Sequence, residues 1–446
     1  MRRPGGTSVL LAYVAFALIG VGAGVNGVLL VAQIGDYAVD RATIGITFFT
    51  ASAGFVLAGV SAGALIQRFG FRIALAIGGG GLVLAGSYAA THPPFAAFVG
   101  LQVLIGYATG VLESVLNAYL AGLPNSTTLL NRLHAFFGVG ALLGPPLATW
   151  IVGRASWTVV MLVLGLAYVP VTAGFLIGYP RRGPEAGRSA PTASAAPATA
   201  AEAATPGATD AAANGATDGG GLLRSALRQP GVLLGAALLA VYVGLELGVG
   251  NWGFSYLVAG RGEREVLAGY SVSGYWLGLT LGRFLISPIA TRVGATAVGL
   301  MFTCLTGVLV AIAITWLPTA AAASAGFVLL GFFLGPIFPT TMAVVPRLTT
   351  ARLVPTAIGV INAGSVIGGS ALPWLAGAIG QTSGVWTLLP FALTLTVVQL
   401  VIWRPIAHRI RPGTARTGGP RRPGATSPDR VVRRPRWRST GPTGPG

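Results

Sequence analysis

Residues 106 to 120 read Gly106-Tyr-Ala-Thr-Gly-Val-Leu-Glu-Ser-Val-Leu-Asn-Ala-Tyr-Leu120, an apolar run with a single charge, Glu113, at its centre. With its flanks the run covers residues 95 to 121, enough to cross about 30 Å of hydrocarbon as a helix. Lipid offers the backbone no hydrogen-bond partner, so a helix is the form that such a segment must take. An acid at the middle of a spanning helix costs roughly 2.5 to 3.5 kcal/mol, and acids so placed face a cavity or a partner and carry ions or substrate. Because the chain has only eleven acidic residues, the position of this one is informative.

The rest of the chain has the same character. Its 446 residues are 53% hydrophobic and 9% charged, with a mean hydropathy of +0.74, whereas soluble domains carry about 25% charged residues. The chain reads as an integral membrane protein. A net charge of +18 raises the question of nucleic acid, but the arginines are not interleaved with aromatics on a folded face. Many of them lie in a Pro/Gly/Arg-rich tail after Trp403, which reads as disordered and suited to anionic lipid headgroups. No nucleic-acid partner is expected. Cys304 is the one cysteine, so neither a disulfide framework nor a cysteine metal site is expected. No metal or nucleophile constellation and no ATP-binding loop is found, so no cofactor and no enzymatic activity are expected. Residues 59–63 spell a nucleophile elbow and residues 22–27 a dinucleotide fingerprint, but both lie inside apolar spans.

Twelve apolar stretches can be counted, at approximately 8–33, 43–66, 73–91, 95–121, 131–152, 157–179, 230–258, 266–290, 295–316, 319–345, 354–380 and 384–403. The fold expected is all-α: twelve transmembrane helices in two six-helix halves, 1–179 and 229–403. An Ala/Pro/Thr/Gly-rich linker at 180–228 and the basic tail at 404–446 are both expected to be disordered and cytoplasmic. Arginine placement sets the orientation, since basic residues stay on the cytoplasmic side. With the N-terminus inside, Arg68, Arg72, Arg132, Arg292, Arg347 and Arg352 fall inside, and only Arg41, Arg154, Arg261 and Arg264 fall outside. Both termini are then cytoplasmic. Glu113 and Glu246 remain as the acids within spans.

The two halves repeat one another. At a shift of 225, Asn26 falls on Asn251, and Gly106 and Gly110 fall on Gly331 and Gly335. Arg68-Phe69-Gly70 falls on Arg292-Val293-Gly294 at 224, and Pro146 and Gly153 fall on Pro373 and Gly380 at 227. Parallel repeats of this kind belong to transporters whose halves rock about a midplane site.

The turn Gly63-Ala-Leu-Ile-Gln-Arg-Phe-Gly-Phe-Arg72 resembles the loop signature of the major facilitator superfamily, with Gln67 where that family usually has an aspartate. The segments Glu113 with Asn117, Asn131 to Pro145, Tyr242 to Glu246 with Asn251-Trp252, Gly335-Pro-Ile-Phe-Pro-Thr340 and Asn362 to Pro373 resemble the fucose permease branch of proton-linked sugar symporters. The resemblance implies the twelve-helix fold and a gating loop at Gly63, Arg68, Gly70 and Arg72 with its counterpart at Arg292 and Gly294; the chain is expected to act as a monomer. Helix 1 lacks the acid often found in that branch, so proton coupling would rest on Glu113 and Glu246.

Asn117 lies four residues after Glu113 on the same helical face, which would set an amide beside a titratable acid. Asn26, Asn251 and Trp252 suit a sugar, whose C–H faces stack on rings while its hydroxyls bond to amides. Gln102, Asn362, Tyr275, Trp276 and Trp374 are further wall candidates. Tyr256 reads as part of the interfacial aromatic belt, and Arg283 as a snorkelling cation. The function expected is secondary transport of a small polar solute, a sugar or relative, with proton symport. Proton-coupled efflux on the same fold is the rival, and a membrane sensor or scaffold is the alternative of another class.

Overall fold

The computed structural model describes residues 6–179 and 219–410, and every regular element among them is a helix. The first half contains α1 (Gly6–Asp36), α4 (Phe95–Ala121), α5 (Ser126–Val152) and α6 (Trp157–Gly178). Between α1 and α4 runs Ile46–Ala89, which divides into α2 (46–69) and α3 (71–89) where Gly70 takes φ 77° and ψ 169°. The second half contains α7 (Pro230–Ser255, prolonged by a π turn at Tyr256–Gly260), α8 (Glu265–Arg292) and α9 (Ala297–Thr315). It continues with α10 (Ala320–Leu334, resumed as Ile337–Leu348), α11 (Val354–Ser383) and α12 (Leu388–Ile410). Among the described residues, ten stretches have the length and apolar composition of membrane spans; one of these holds both α2 and α3, and α8 supplies the remaining expected helix. The chain is a multi-pass membrane protein.

The repeat seen in the sequence is a repeat of packing. A Cβ at Gly106 would collide with the Ala51 carbonyl oxygen on α2, and one at Gly331 would collide with that of Tyr275 on α8. Gly140 likewise lies against Ala17 of α1, and Gly368 against Ala240 of α7. Lipid tails are as apolar as leucine and provide no hydrophobic drive between helices, so close backbone approach over glycine takes over that role. The turns that end α2 and α8 also match, with Gly70 at φ 77° and Gly294 at φ 67°, values that residues with a Cβ rarely adopt.

Ser8 Oγ donates to the Gly178 carbonyl at 2.9 Å, and Gly231 touches Leu348, so these residues mark the ends of the bundle nearest the termini. Opposite lie Asp36, His92 and Trp157, joined when His92 Nε2 and Trp157 Nε1 each approach Asp36 Oδ2 to 2.6 Å. The halves meet at this far end and at mid-depth. Asn26 Nδ2 donates to Asn251 Oδ1 at 3.1 Å, so two repeat-related residues meet each other. Beside them Gly27 faces Gly250, where a Cβ would lie 2.7 Å from the carbonyl oxygen. Trp374 Nε1 donates to the Ala42 carbonyl at 3.1 Å, and Arg41 reaches Gln381.

Arg41 and Ala42 sit on the short helix Arg41–Ile44, which Asp40 caps by accepting from the Thr43 amide at 2.6 Å. That bond holds the Asp40 carboxyl below its usual range. Apolar packing follows the same division. Val28, Leu29, Ile44 and Phe48 share one core with α7 to α12, whereas Phe16, Phe71, Leu116 and Phe175 at the termini end form a separate core within the first half. The molecule is closed at the far end, and its halves have separate cores toward the termini.

Some expectations need correction. Residues 219–227 of the expected linker form a helix, Gly219–Leu227, and residues 404–410 of the expected tail continue α12, burying Ile406, Ala407 and Ile410. Composition hid both, because one apolar face per turn is enough to dock a helix. Residues 180–218 and 411–446 lie outside the described residues. Tyr256 is buried and stacks on Phe327 with ring centroids 6.4 Å apart, so it is a packing residue and not part of an interfacial belt.

Glu263, on the far-end turn after α7, has both carboxylate oxygens covered and no hydrogen bond to either among the described residues. Burial raises its pKa above 4.5, with Arg261 opposing the shift. An acid whose folded pKa is raised penalises the fold above that pKa, and the penalty is relieved as pH falls through it. Glu263→Gln should therefore raise the melting temperature at pH 7 and remove part of the gain that the parent shows on acidification toward pH 4.5. Thermal unfolding of both proteins across that range checks this.

Candidate functional site

A cavity of about 390 Å³ opens between the halves, within the range of about 300 to 1,000 Å³ usual for small-molecule sites. Glu113 from α4 and Glu246 from α7 both line it, as do Asn26 and Gln102. Among the polar residues expected from the sequence, the fold thus brings one acid from each half to a single space. Glu113 is 4% exposed and Glu246 is 2% exposed.

Glu246 is held by Arg283, whose Nη2 lies 3.0 Å from Oε1. The same Nη2 lies 3.3 Å from the Tyr242 hydroxyl, and Tyr275 donates to the Glu246 main-chain carbonyl at 2.9 Å. Arg283 therefore does not snorkel to the membrane surface; it is a buried partner. Its Nε donates to the Gly335 carbonyl at 3.4 Å, and the sequence explains why that oxygen is available. In an unbroken helix it would accept from the amide of residue 339, but Pro339 has none. Together with the break at Pro336, this leaves an acceptor at mid-helix that a guanidinium can fill. The Gly335-Pro-Ile-Phe-Pro339 segment and Arg283 form one device, which the sequence reading treated as two separate features.

Asn117 does not stand beside the Glu113 carboxylate as a second cavity group. Its Nδ2 donates back to the Glu113 main-chain carbonyl at 3.0 Å, the local bond that amide side chains form inside helices, and it is buried outside the cavity wall. Asn251 is used by Asn26. Trp252 donates from Nε1 to the Pro373 carbonyl at 2.8 Å and meets Phe48 edge-on at 6.3 Å, so it seals the contact between halves instead of lining the cavity. Asn362 is also off the wall, with Oδ1 buried and unpaired among the described residues. Trp276 does line the cavity; Tyr275 and Trp374 have the structural bonds given above.

The sequence reading missed Gln33, Thr47, Phe98 and Tyr168, all of which line the cavity. Gln33 is 4% exposed near the end of α1, in a position that the apolar count treated as the end of a span. A buried amide near the end of a spanning helix is a signal of the same kind as Glu113, though closer to the membrane surface.

The gating-loop candidates lie apart from the cavity. Gly63 is on α2, Gly70 is the break between α2 and α3, and Gly294 follows α8. Arg68 sits over the Phe69 ring at 5.3 Å, while Arg72 opens α3 and Arg292 ends α8.

Comparison with known proteins gives a consistent outcome. The family model described as Major Facilitator Superfamily matches residues 12–274, which cover the first half and the start of the second, and again 256–440. Among curated proteins, Bypass of stop codon protein 6 of Saccharomyces cerevisiae is 25% identical over 394 residues, covering 84% of this chain and 78% of that protein. The glucose/mannose transporter GlcP of Bacillus subtilis is 22% identical over 307 residues, covering 67% of this chain and 71% of its own. Among solved structures, the nucleoside transporter NupG superposes with a TM-score of 0.70 at 12% identity, over 91% of this chain and 98% of that one. A D-xylose-proton symporter superposes with a TM-score of 0.63 at 12% identity, over 89% and 97%. These relatives do not single out the fucose permease branch.

Proposed function

Because the chain belongs to the major facilitator superfamily, we propose that this transporter moves a small polar solute, a sugar or related metabolite, by alternating access with proton symport. The observation that carries the reading is a cavity between the halves, with Glu113 on one side and the Glu246–Arg283 pair on the other. Amides from Asn26, Gln33 and Gln102 and the ring of Trp276 offer the mixture of hydrogen bonds and stacking faces that a hydroxylated ring takes. The naming of one relative as a glucose/mannose transporter supports the same substrate class.

Arginine placement supports an orientation with both termini in the cytoplasm of a cell-membrane protein. The far end is then the outer face, and closure there makes this the inward-facing state. In this reading Glu113 is the group that takes up the proton on one side of the membrane and gives it up on the other. The loops at Arg68-Phe69-Gly70 and Arg292-Val293-Gly294 act as paired hinges at the inner face. The protein acts as a monomer in lipid, and its arginine-rich tail associates with anionic headgroups.

Counterflow of labelled glucose and mannose in proteoliposomes, with external pH recorded, tests the reading. The expected result is exchange of at least one hexose, with alkalinisation outside during net uptake. Absence of movement of any hexose would refute the substrate class, and hexose uptake without a pH change would refute symport.

A further inference from the structure

We infer that the transported solute carries an apolar group of about aromatic-ring size beside its polar head, seated in a recess inside the first half. This rests on the sugar-transport reading above and narrows it. The cavity does not stop at the contact between halves. It passes between α1, α2 and α4 and reaches α3 and α6, where Leu82, Ala85, Gly86, Met161, Leu164 and Gly165 form its wall. Among the cavity-lining residues of α3 and α6, Tyr168 alone adds a polar atom, the hydroxyl at the tip of an otherwise apolar ring.

The recess exists because these helices carry small residues there. A Cβ at Gly86 would lie 2.6 Å from the Gly165 Cα, so the two backbones touch, and Ala85 beside them presents only a methyl group to the cavity where a larger side chain would project. The opposite faces of the same helices lie at the molecular surface: Leu84 is 66% exposed and Leu166 is 51% exposed. The cavity is thus separated from the surface by one helix layer. Glu246, Arg283, Trp276 and Ser365 line the cavity from the second half, away from this wall. A bare hexose engages the polar part and leaves the apolar hollow unfilled; a solute with a ring attached to the sugar fills both.

Competition against labelled glucose counterflow by unlabelled glucose and by phenyl β-D-glucoside tests this. The expected result is half-inhibition by the phenyl glucoside at about tenfold lower concentration than by glucose, in line with what extra apolar contact in a pocket contributes. Ala85→Leu, which fills the hollow, should erase most of that ratio. Leu164→Ala, which enlarges it, should shift the preference toward a naphthyl glucoside and keeps the test valid if Ala85→Leu does not fold. Equal or weaker competition by the phenyl glucoside, with glucose still exchanging, would overturn the inference and leave the sugar reading intact. So would ratios that neither variant changes. Failure of both compounds to compete or exchange would sink the sugar reading and the inference together.

Discussion

Arg283→Ala is expected to abolish transport and to lower stability more than any other single change in the cavity. Removing the guanidinium leaves Glu246 at 2% exposure without its ion-pair partner and leaves the Gly335 carbonyl without its donor. Breaking a buried pair in this way costs about 3 to 5 kcal/mol, because the surviving charge stays desolvated. Glu246→Gln alone takes the carboxylate from the guanidinium, which keeps its bonds to Tyr242 and Gly335, and should be damaging in the same direction. The double variant Glu246→Gln with Arg283→Gln removes both charges of the pair together, so it should recover much of the thermal stability while remaining inactive. A double-mutant cycle read by thermal unfolding in detergent measures the coupling. A coupling near zero would show that the pair does not act as a unit.

Glu113→Gln is expected to separate two activities that the parent combines. The amide matches the shape of the neutral acid, so the cavity and the rocking of the halves should survive, and exchange of solute down its own gradient should continue. Accumulation driven by a proton gradient should fall by more than tenfold if, as proposed, Glu113 is the group that gains and loses the proton. Parallel assays of counterflow and of accumulation under an imposed pH gradient give the comparison. Loss of both activities would assign Glu113 to the structure of the cavity, and retention of both would assign the proton to another group.

The parts of this account that were legible in the sequence are those that lipid enforces. Spans must be helical and apolar, small residues must mark the close crossings, and a duplicated chain must keep its glycines in register; Gly106 with Gly331 follows directly. Glu113 was legible because an acid in hydrocarbon is costly wherever it occurs. Arg283 was not, because its distance from the helix end fits a snorkelling side chain as well as a buried one. What decides between them is the tilt that brings α8 against α7 and the carbonyl that Pro339 leaves free on α10. Trp252 and Asn117 were misplaced for a related reason: residue type tells what a side chain can bind, but whether a nearer carbonyl takes its N–H depends on the packing. The recess reaching α3 and α6 has no sequence signature beyond alanine and glycine, which in this chain are abundant everywhere.

The central claim is that one cavity is exposed in turn to the two faces of the membrane, and side-specific labelling tests it most directly. With the buried Cys304 replaced by serine and a cysteine placed by Gln102→Cys, an impermeant maleimide should label the cavity from the cytoplasmic face in the resting protein. Adding Gly27→Leu puts a side chain where even a Cβ lies 2.7 Å from the Gly250 carbonyl, so the outer face cannot close. Labelling should then shift to the outer face in right-side-out vesicles and fall in inverted ones. Labelling of the Gly27→Leu protein from the cytoplasmic face alone, as in its parent, would contradict alternating access about this cavity.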